Sequence, residues 1–306
     1  MTGVNIKQTS SLFKDVVRSN GQFNVLNDRG SALIIALLLI TILVSLVVNF
    51  VYEVYMDSSA VSNWSNAQRA SYIAKSGQNI AANFIKQINL YPNTTIREIA
   101  LPVVRDFGLN SSLVVTVEDE NSKFNINKIT DPSTLNSLKK LFEYLKINPD
   151  LVFIIADWRD PDSDPRLPDS EDLAKNGEFW SIDELKLIKG IDGEVFNKIS
   201  PYVTATSNWL DWKININTAE LPVLVSLDEK MTESLAERII DYRKDSPFET
   251  ESEINSVLGE AWTIGVGLIM KSSNFRVISR STVNDIPRII ESIIDTNFKI
   301  YFWREV

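Results

Sequence analysis

The 306-residue sequence contains no cysteine and no histidine. Without cysteine there are no disulfides, no thiolate nucleophile and no Cys-ligated zinc. Without histidine there is no Ser-His-Asp triad, no imidazole acid–base pair and no His-ligated metal. Carboxylate-only hydrolysis is the enzymatic chemistry left, and the chain reads as a non-enzyme. Positive charge is also in short supply, the formal net charge being -9. Lys7, Lys14, Arg18 and Arg29 against Asp15 and Asp28 make the first thirty residues +2, which leaves -11 for the remainder. So acidic a body repels nucleic acid phosphates and anionic lipid, and suits a cation or a basic partner.

Between Ser31 and Tyr52 charge is missing altogether. These 22 residues are interrupted only by Ser31, Thr41, Ser45, Asn49 and Tyr52 as polar positions. As a helix they span about 33 Å at ~1.5 Å per residue, enough for a bilayer core of roughly 30 Å. A secretory signal would have a shorter apolar stretch of about 7–15 residues behind a short basic segment. A small-residue site for removal does occur at Ser58-Ser59-Ala60. The positive flank ending in Arg29, followed after the run by Glu53 and Asp57, places the N-terminus in the cytoplasm and the body outside.

Proline is absent from Glu53 to Ile88. Val54, Val61, Trp64, Ala67, Ala74, Ala81, Phe84, Ile85 and Ile88 recur by steps of three, four and seven, which predicts one amphipathic face. One helix of close to sixty residues is expected, apolar in its first half and amphipathic in its second, broken at Tyr91-Pro92-Asn93. A hydrophilic leader ending in Gly, followed by about twenty apolar residues that continue as an amphipathic helix, resembles the type IV pilin and pseudopilin signal. The resemblance implies cleavage by a prepilin peptidase between Gly30 and Ser31. Two positions depart from it: the first mature residue is Ser31 rather than Phe or Met, and the fifth is Ile35 rather than Glu. In the family that Glu is thought to pair with a neighbouring subunit's terminal amine. Its absence is characteristic of the K-type minor pseudopilin of type II secretion (the GspK family), placed at the filament tip.

The texture of the rest fits that layout. Residues 111–129 alternate and predict two strands with a turn near Glu120-Asn121-Ser122. Residues 133–147 and 149–160 predict helices. In 181–260 two similar helix–turn–helix pieces are expected, with a Ser181/Glu184 capping box, Gly190 ending a helix, Asn217 or Thr218 and Thr232 as caps, and Ser252 starting a helix. From Phe275 strands return, with "PRIIESIIDT" open between helix and strand. The fold expected is α+β: a pilin-like long N-terminal helix packed on an antiparallel sheet, with a large all-α insertion of SAM-like or helix-hairpin-helix-like pieces. The expected divisions are a leader at 1–30, a transmembrane half-helix at 31–52, a periplasmic half-helix at 53–90, a pilin-like α/β domain at 91–130 and 271–306, and the insertion at 131–270. "ADWRDPDSDPR", "SIDELKLIKGI", "ININTAELPVL" and "FKIYFWREV" resemble further K-type segments.

The loop "DWRDPDSDPRLPDSED", 157–172, concentrates carboxylates. Hard cations such as Ca²⁺ take six to eight oxygens from closely spaced carboxylates and carbonyls. Asp160, Asp162, Asp164, Glu171 and Asp172 are the candidate ligands. Glu171 stands at position twelve counted from Asp160, but Pro165 occupies the place where an EF-hand needs Gly. Such loops also serve turns and caps alone. The K-type resemblance, whose family includes calcium-binding members, adds to the cation reading. The Gly-containing turn Lys189-Gly190-Ile191 resembles a helix-hairpin-helix that would present N–H groups to DNA. Charge opposes that reading, with 12 acidic and 5 basic residues in 211–260, because DNA binding relies on phosphate neutralisation. Seven tryptophans are expected mainly in cores, with Trp209 or Trp212 a candidate partner contact.

The resemblance implies a single-pass inner-membrane protein with a periplasmic body. Its implied partners are the I-type and J-type minor pseudopilins, the major pseudopilin filament and the prepilin peptidase, with secreted substrate or the outer-membrane channel beyond them. The function implied is to initiate or cap pseudopilus assembly in protein export. The alternative is a minor pilin of a type IV pilus or competence system, and behind it a membrane-tethered DNA receptor.

Overall fold

The computed structural model describes residues 28–102, 107–108, 110–129, 131–208, 210–259 and 267–306. Most of the expected leader, and Trp209, lie outside them. In chain order the elements are helix α1 (Asp28–Ile88), strands β1 (Glu98–Leu101), β2 (Ser111–Asp119) and β3 (Phe124–Asn125), helices α2 (Pro132–Tyr144), α3 (Leu151–Arg159) and α4 (Gly193–Ile199), and strands β4 (Val203–Thr204) and β5 (Ile214–Asn215). Helices α5 (Leu221–Val225), α6 (Glu233–Asp245) and α7 (Glu251–Leu258) follow, then strands β6 (Leu268–Ile269), β7 (Asn274–Val283), β8 (Ile286–Asp295) and β9 (Ile300–Glu305). The chain forms two units, one ending at Trp64 and the other Ser65–Val306.

The first unit is the apolar part of α1. It is long and apolar enough to cross a membrane, and none of that stretch is buried within the protein. Val54, Val61 and Trp64, expected on a packing face, are exposed like their neighbours.

In the second unit the remainder of α1 packs on a five-stranded antiparallel sheet of order β1-β2-β7-β8-β9. Ala67, Ala70, Ser71, Ile73, Ala74, Gly77, Ala81 and Ile85 are buried at helical spacing. Ala81 and Ile85 meet Leu101, Val115, Val117, Phe275, Val277 and Ile294, while Ala70 and Ile73 meet Val283. Small residues let helix and sheet approach closely. A Cβ on Gly77 would lie 2.5 Å from Ser279 Oγ and 2.9 Å from Val115 Cγ2. The polar atoms enclosed there are paired: Ser281 Oγ donates to Ala70 O at 2.5 Å, Gln78 Nε2 to Ile290 O at 3.1 Å, and Ser292 Oγ to Gln78 Oε1 at 2.6 Å. "PRIIESIIDT" lies in β8 except for its last residue, Thr296. Asn284 (φ 45°) and Asp285 (φ 64°) form the two-residue turn that joins it to β7, and positive φ at both central residues is what such a hairpin requires. That settles the open reading as strand.

The second expected strand of 111–129 does not return along β2. β2 pairs with β1 and β7, whereas β3 pairs in parallel with β4. The physical reason lies in "FNINKI", whose asparagines alternate like solvent-facing residues but are buried. Asn125 Oδ1 accepts from Asn127 N at 3.1 Å, and its Nδ2 donates to Thr206 Oγ1 at 2.9 Å. Asn127 Oδ1 accepts from Phe179 N at 2.7 Å, and its Nδ2 donates to Phe179 O at 3.0 Å.

"ININT" repeats this device. Asn215 Oδ1 accepts from Asn217 N at 2.9 Å, and the Asn217 amide brackets Phe248 N and O, both at 2.9 Å. β5 pairs in parallel with β6, as β3 does with β4. Downstream of each bracketed phenylalanine the sequences align as Phe179-Trp-Ser181-x-x-Glu184-Leu185 and Phe248-Glu-Thr250-x-x-Glu253-Ile254, each reaching a glycine of positive φ, Gly190 and Gly259. Glu184 Oε1 accepts from Trp180 N at 2.6 Å, and Glu253 Oε2 from Glu249 N at 2.8 Å. The region between β2 and β7 is therefore two copies of one unit, each mostly helical and each closed by a short parallel strand pair. Together they enclose the largest apolar core of the protein.

Local caps differ from the simple expectation. Residues Ile182–Leu187 form a 3₁₀ helix, so Ser181 Oγ accepts from Asp183 N and Glu184 reaches back to Trp180, one residue off a capping box. α5 starts at Leu221, leaving Asn217 and Thr218 free for the interior network. Thr232 Oγ1 does cap α6 through Leu235 N, and α7 begins at Glu251 rather than Ser252.

Candidate metal centre

α3 ends in Asp157-Trp158-Arg159, and each of these residues is buried. Trp158 stacks on Phe179 with ring centroids 6.4 Å apart, and Arg159 Nε donates to Asn127 O at 3.0 Å. These contacts fix the root of the acidic loop to the first repeat. Asp160 closes the helix, its N–H donating to Ala156 O, and only 3% of it is exposed. Asp162 forms a turn by accepting from Asp164 N at 3.0 Å, and Asn176 Nδ2 ties the loop back through Asp162 O at 2.8 Å.

Asp160, Asp162 and Glu171 each place a carboxylate oxygen within 4.8 Å of the others. Of the five sequence candidates these three come together. Asp164 and Asp172 are exposed and lie outside the group. Asp157, one helical turn before Asp160, was not among the candidates. It is fully buried, accepting from Arg166 N at 2.9 Å and from the Ser170 hydroxyl. Its signal in the sequence was the i, i+3 spacing to Asp160 on a helix.

Buried oxygens in this loop lack donors. Asp160 Oδ1 and both Glu171 carboxylate oxygens are enclosed without a hydrogen-bond partner in the protein. Burial, with the Asp157, Asp160 and Asp162 carboxylates next, holds the Glu171 carboxyl above its ordinary range. A hard cation would satisfy both conditions at once, since it supplies charge and accepts oxygen ligands. The residues present fit Ca²⁺ in donor type.

An apolar groove adjoins the loop, lined by Ile154, Trp158, Leu173, Leu187 and Ile188 with Asp172 at its edge. Lys175 Nζ lies 3.9 Å from the centroid of the exposed Trp180 ring and bonds Glu184 Oε2 at 2.9 Å. Of the pair Trp209 and Trp212, one of which was expected at a partner surface, Trp212 is core: 2% of it is exposed, and its Nε1 donates to Lys123 O at 2.9 Å.

Where the repeats meet the sheet, charges are paired. Arg276 Nε bonds Glu120 Oε1 at 2.6 Å, and Arg276 also bonds Glu291. Lys123 Nζ lies 2.9 Å from Glu118 and 3.0 Å from Glu120. Arg304 joins Glu291 at 2.6 Å to Asp183 at 2.8 Å, which links β8 and β9 to the first repeat. Burial raises the Glu120 carboxyl, but Arg276 and Lys123 outweigh it and hold the group well below the usual range.

The description "Type II secretion system (T2SS), protein K" matches residues 122–208 and again 214–261, the two copies just described. Type II secretion system protein K of Aeromonas hydrophila is 25% identical over 311 aligned residues, covering 86% of this chain and 92% of the relative. The Klebsiella pneumoniae protein of the same description is 25% identical over 220 residues, covering 63% of this chain and 67% of the relative. Together these matches support reading the chain as a protein K (GspK-type) minor pseudopilin of type II secretion. Its fold is also that of a chain in the crystal structure of the GspK-GspI-GspJ complex from enterotoxigenic Escherichia coli, with TM-score 0.62 and 18% identity over 81% of this chain and 99% of that one.

The K-type family match covers the two repeats, and the sheet shares only the fold of the solved neighbour. The positions of the leader motif lie on the first unit: Gly30, Ser31 and Ile35 are all in α1, with Ile35 58% exposed. The Lys189-Gly190-Ile191 turn has a packing role. A Cβ on Gly190 would lie 2.7 Å from Leu151 Cδ2, its φ is 93°, and Ile191 is buried.

Proposed function

We propose that this K-type minor pseudopilin is an assembly subunit at the tip of the type II secretion pseudopilus, initiating or capping the filament in protein export, with no catalytic role. The observation that carries this reading is α1 itself. One unbroken helix holds both a membrane-length apolar segment and the residues buried against the sheet. A helix of that kind serves a subunit that leaves the bilayer while staying packed with neighbouring helices. Prepilin peptidase cuts between Gly30 and Ser31, and the mature chain sits in the inner membrane with its N-terminus cytoplasmic and its body periplasmic. Ile35 supports a terminal place, because no carboxylate is offered to the amine of a further subunit. The partners are the I-type and J-type minor pseudopilins, a reading supported by the complex in which the fold neighbour was solved. Below them stands the major pseudopilin filament.

The leader, transmembrane and periplasmic divisions read from sequence are kept in this proposal, and the bulk that hinders stacking of another subunit is the pair of repeats between β2 and β7. The acidic loop binds Ca²⁺ through Asp160, Asp162 and Glu171, which steadies that bulk. Sequencing the N-terminus of the protein purified from membranes tests the route. A methylated Ser31 is expected, and an intact Met1 would refute it. Deleting the gene is expected to abolish secretion and restoring it to recover export. Export that persists without the gene would refute the tip role.

A further inference from the structure

The acidic loop carries a cation of its own. Arg166 Nη1 donates to both Asp157 Oδ1 and Asp160 Oδ2. It thereby occupies one oxygen of Asp160 and leaves the other, Oδ1, buried with no donor. Asp157, Asp160, Asp162 and Glu171 bring four negative charges, and Arg166 returns one.

We propose that Arg166 is an internal counter-cation that sets how tightly the loop takes a divalent ion. The inference rests on the metal reading given above and adds a role that the candidate ligands do not have. Without the ion, Arg166 neutralises two buried carboxylates that would otherwise lack a counter-charge and would loosen the loop. With the ion, the same guanidinium repels it from a few ångströms away and holds an Asp160 oxygen that the ion would share. Calcium sites are tuned by charge count and rigidity, so one positive charge at this range weakens binding by roughly tenfold or more. The loop is thus kept folded when empty, at the expense of affinity.

The test uses the full chain in detergent micelles, with calcium chloride as the probe. Titration calorimetry gives affinity, and thermal melting in chelator gives the stability of the metal-free protein. Arg166→Met is expected to bind calcium roughly tenfold more tightly while melting lower in chelator. Saturating calcium is expected to bring its melting back toward that of the unaltered chain. Arg166→Lys keeps the charge and is expected to keep the original affinity within about threefold. If Arg166→Met fails to fold in chelator, Arg166→Gln reads the same change in affinity. A merely structural arginine would lower melting without tightening the site. Equal or weaker calcium binding in the neutral variants, with binding intact in the unaltered chain, overturns the proposal. No binding by the unaltered chain overturns the metal reading beneath it.

Discussion

Asn127 holds the backbone of Phe179 with both ends of its amide, 2.7 Å from the N–H and 3.0 Å from the carbonyl. The side chain acts as one residue of a strand partner for a segment that has none. Asn217 does the same for Phe248 in the second repeat. Asn127→Ala removes both bonds and leaves buried backbone groups unpaired. With about 1–3 kcal/mol for each orphaned group, a total loss of roughly 2–5 kcal/mol is expected. Asn127→Asp keeps the acceptor, loses the donor and adds charge, so it should be no better. Denaturant melts of the full chain in micelles check this, and a change below about 1 kcal/mol would show that the amide clamp is not what orders Phe179.

Gly77 sets the distance between α1 and the sheet. Glycine-to-alanine in a helix normally gains about 1 kcal/mol. Here the new Cβ would lie 2.5 Å from Ser279 Oγ and 2.9 Å from Val115 Cγ2, so overpacking of about 1–3 kcal/mol opposes that gain. Net destabilisation is expected for Gly77→Ala, with part of it recovered on adding Ser279→Ala. A Gly77→Ala chain that melts higher than the parent would refute the close-packing argument.

Asp119 joins three chain segments. Its carboxylate accepts from Asn121 N at 2.9 Å, Asn215 Nδ2 at 3.1 Å, Thr218 Oγ1 at 2.5 Å and Ser272 Oγ at 2.6 Å. Burial lifts the group from 3.8 to about 6, and those hydrogen bonds pull only partly the other way. Because the folded pKa is the higher one, the folded state holds more protons between pH 4 and 6. Stability therefore rises as pH falls through that window, by about 3 kcal/mol in all. Glu120 has the opposite sign, since its folded pKa is depressed and its contribution is lost as acid protonates it below about pH 4. Melting temperature should climb as pH falls from about 6 toward 4 and drop below about 4. In Asp119→Asn the climb should flatten, and an unchanged slope would assign the titration to another group.

The sequence is most readable where one signal has one cause. The charge-free run and the absence of proline from 53 to 88 gave α1 directly. Where α1 becomes covered was hidden, because Val61 and Trp64 are as apolar as Ala67 and Ala74 and only the sheet decides which are buried. Ser279, Ser281 and Ser292 are fully buried though polar, since the close helix needs small side chains with local partners. The asparagines of 125–127 read as part of an alternating, half-exposed strand and Asn217 as a helix cap, but all of them bond inward to segments 31 to 121 residues distant. The Phe-x-Ser/Thr-x-x-Glu repeat was legible by aligning 179–190 with 248–259. Within the loop, carboxylate type was plain from sequence, but which ones converge depends on where α3 ends.

That distinction gives a direct test of the candidate centre. Asp160, Asp162 and Glu171 converge, whereas Asp164 contributes its backbone to a turn and Asp172 borders the groove. Asp162→Asn and Glu171→Gln each remove one charge from the oxygen cluster while keeping its shape. Each is expected to weaken calcium binding by roughly tenfold or more, because affinity follows ligand charge count. Asp164→Asn and Asp172→Asn remove the same charge farther from the centre, where solvent screens it, and should change affinity by about threefold or less. In chelator the Glu171→Gln chain should melt at or above the parent, since it relieves a carboxylate that lacks any donor and faces like charges. A single calorimetric series on the five full-length proteins decides the matter. Equal losses in all four variants would mean that calcium sees only the loop's net charge, and a loss confined to Asp164 and Asp172 would place the centre elsewhere.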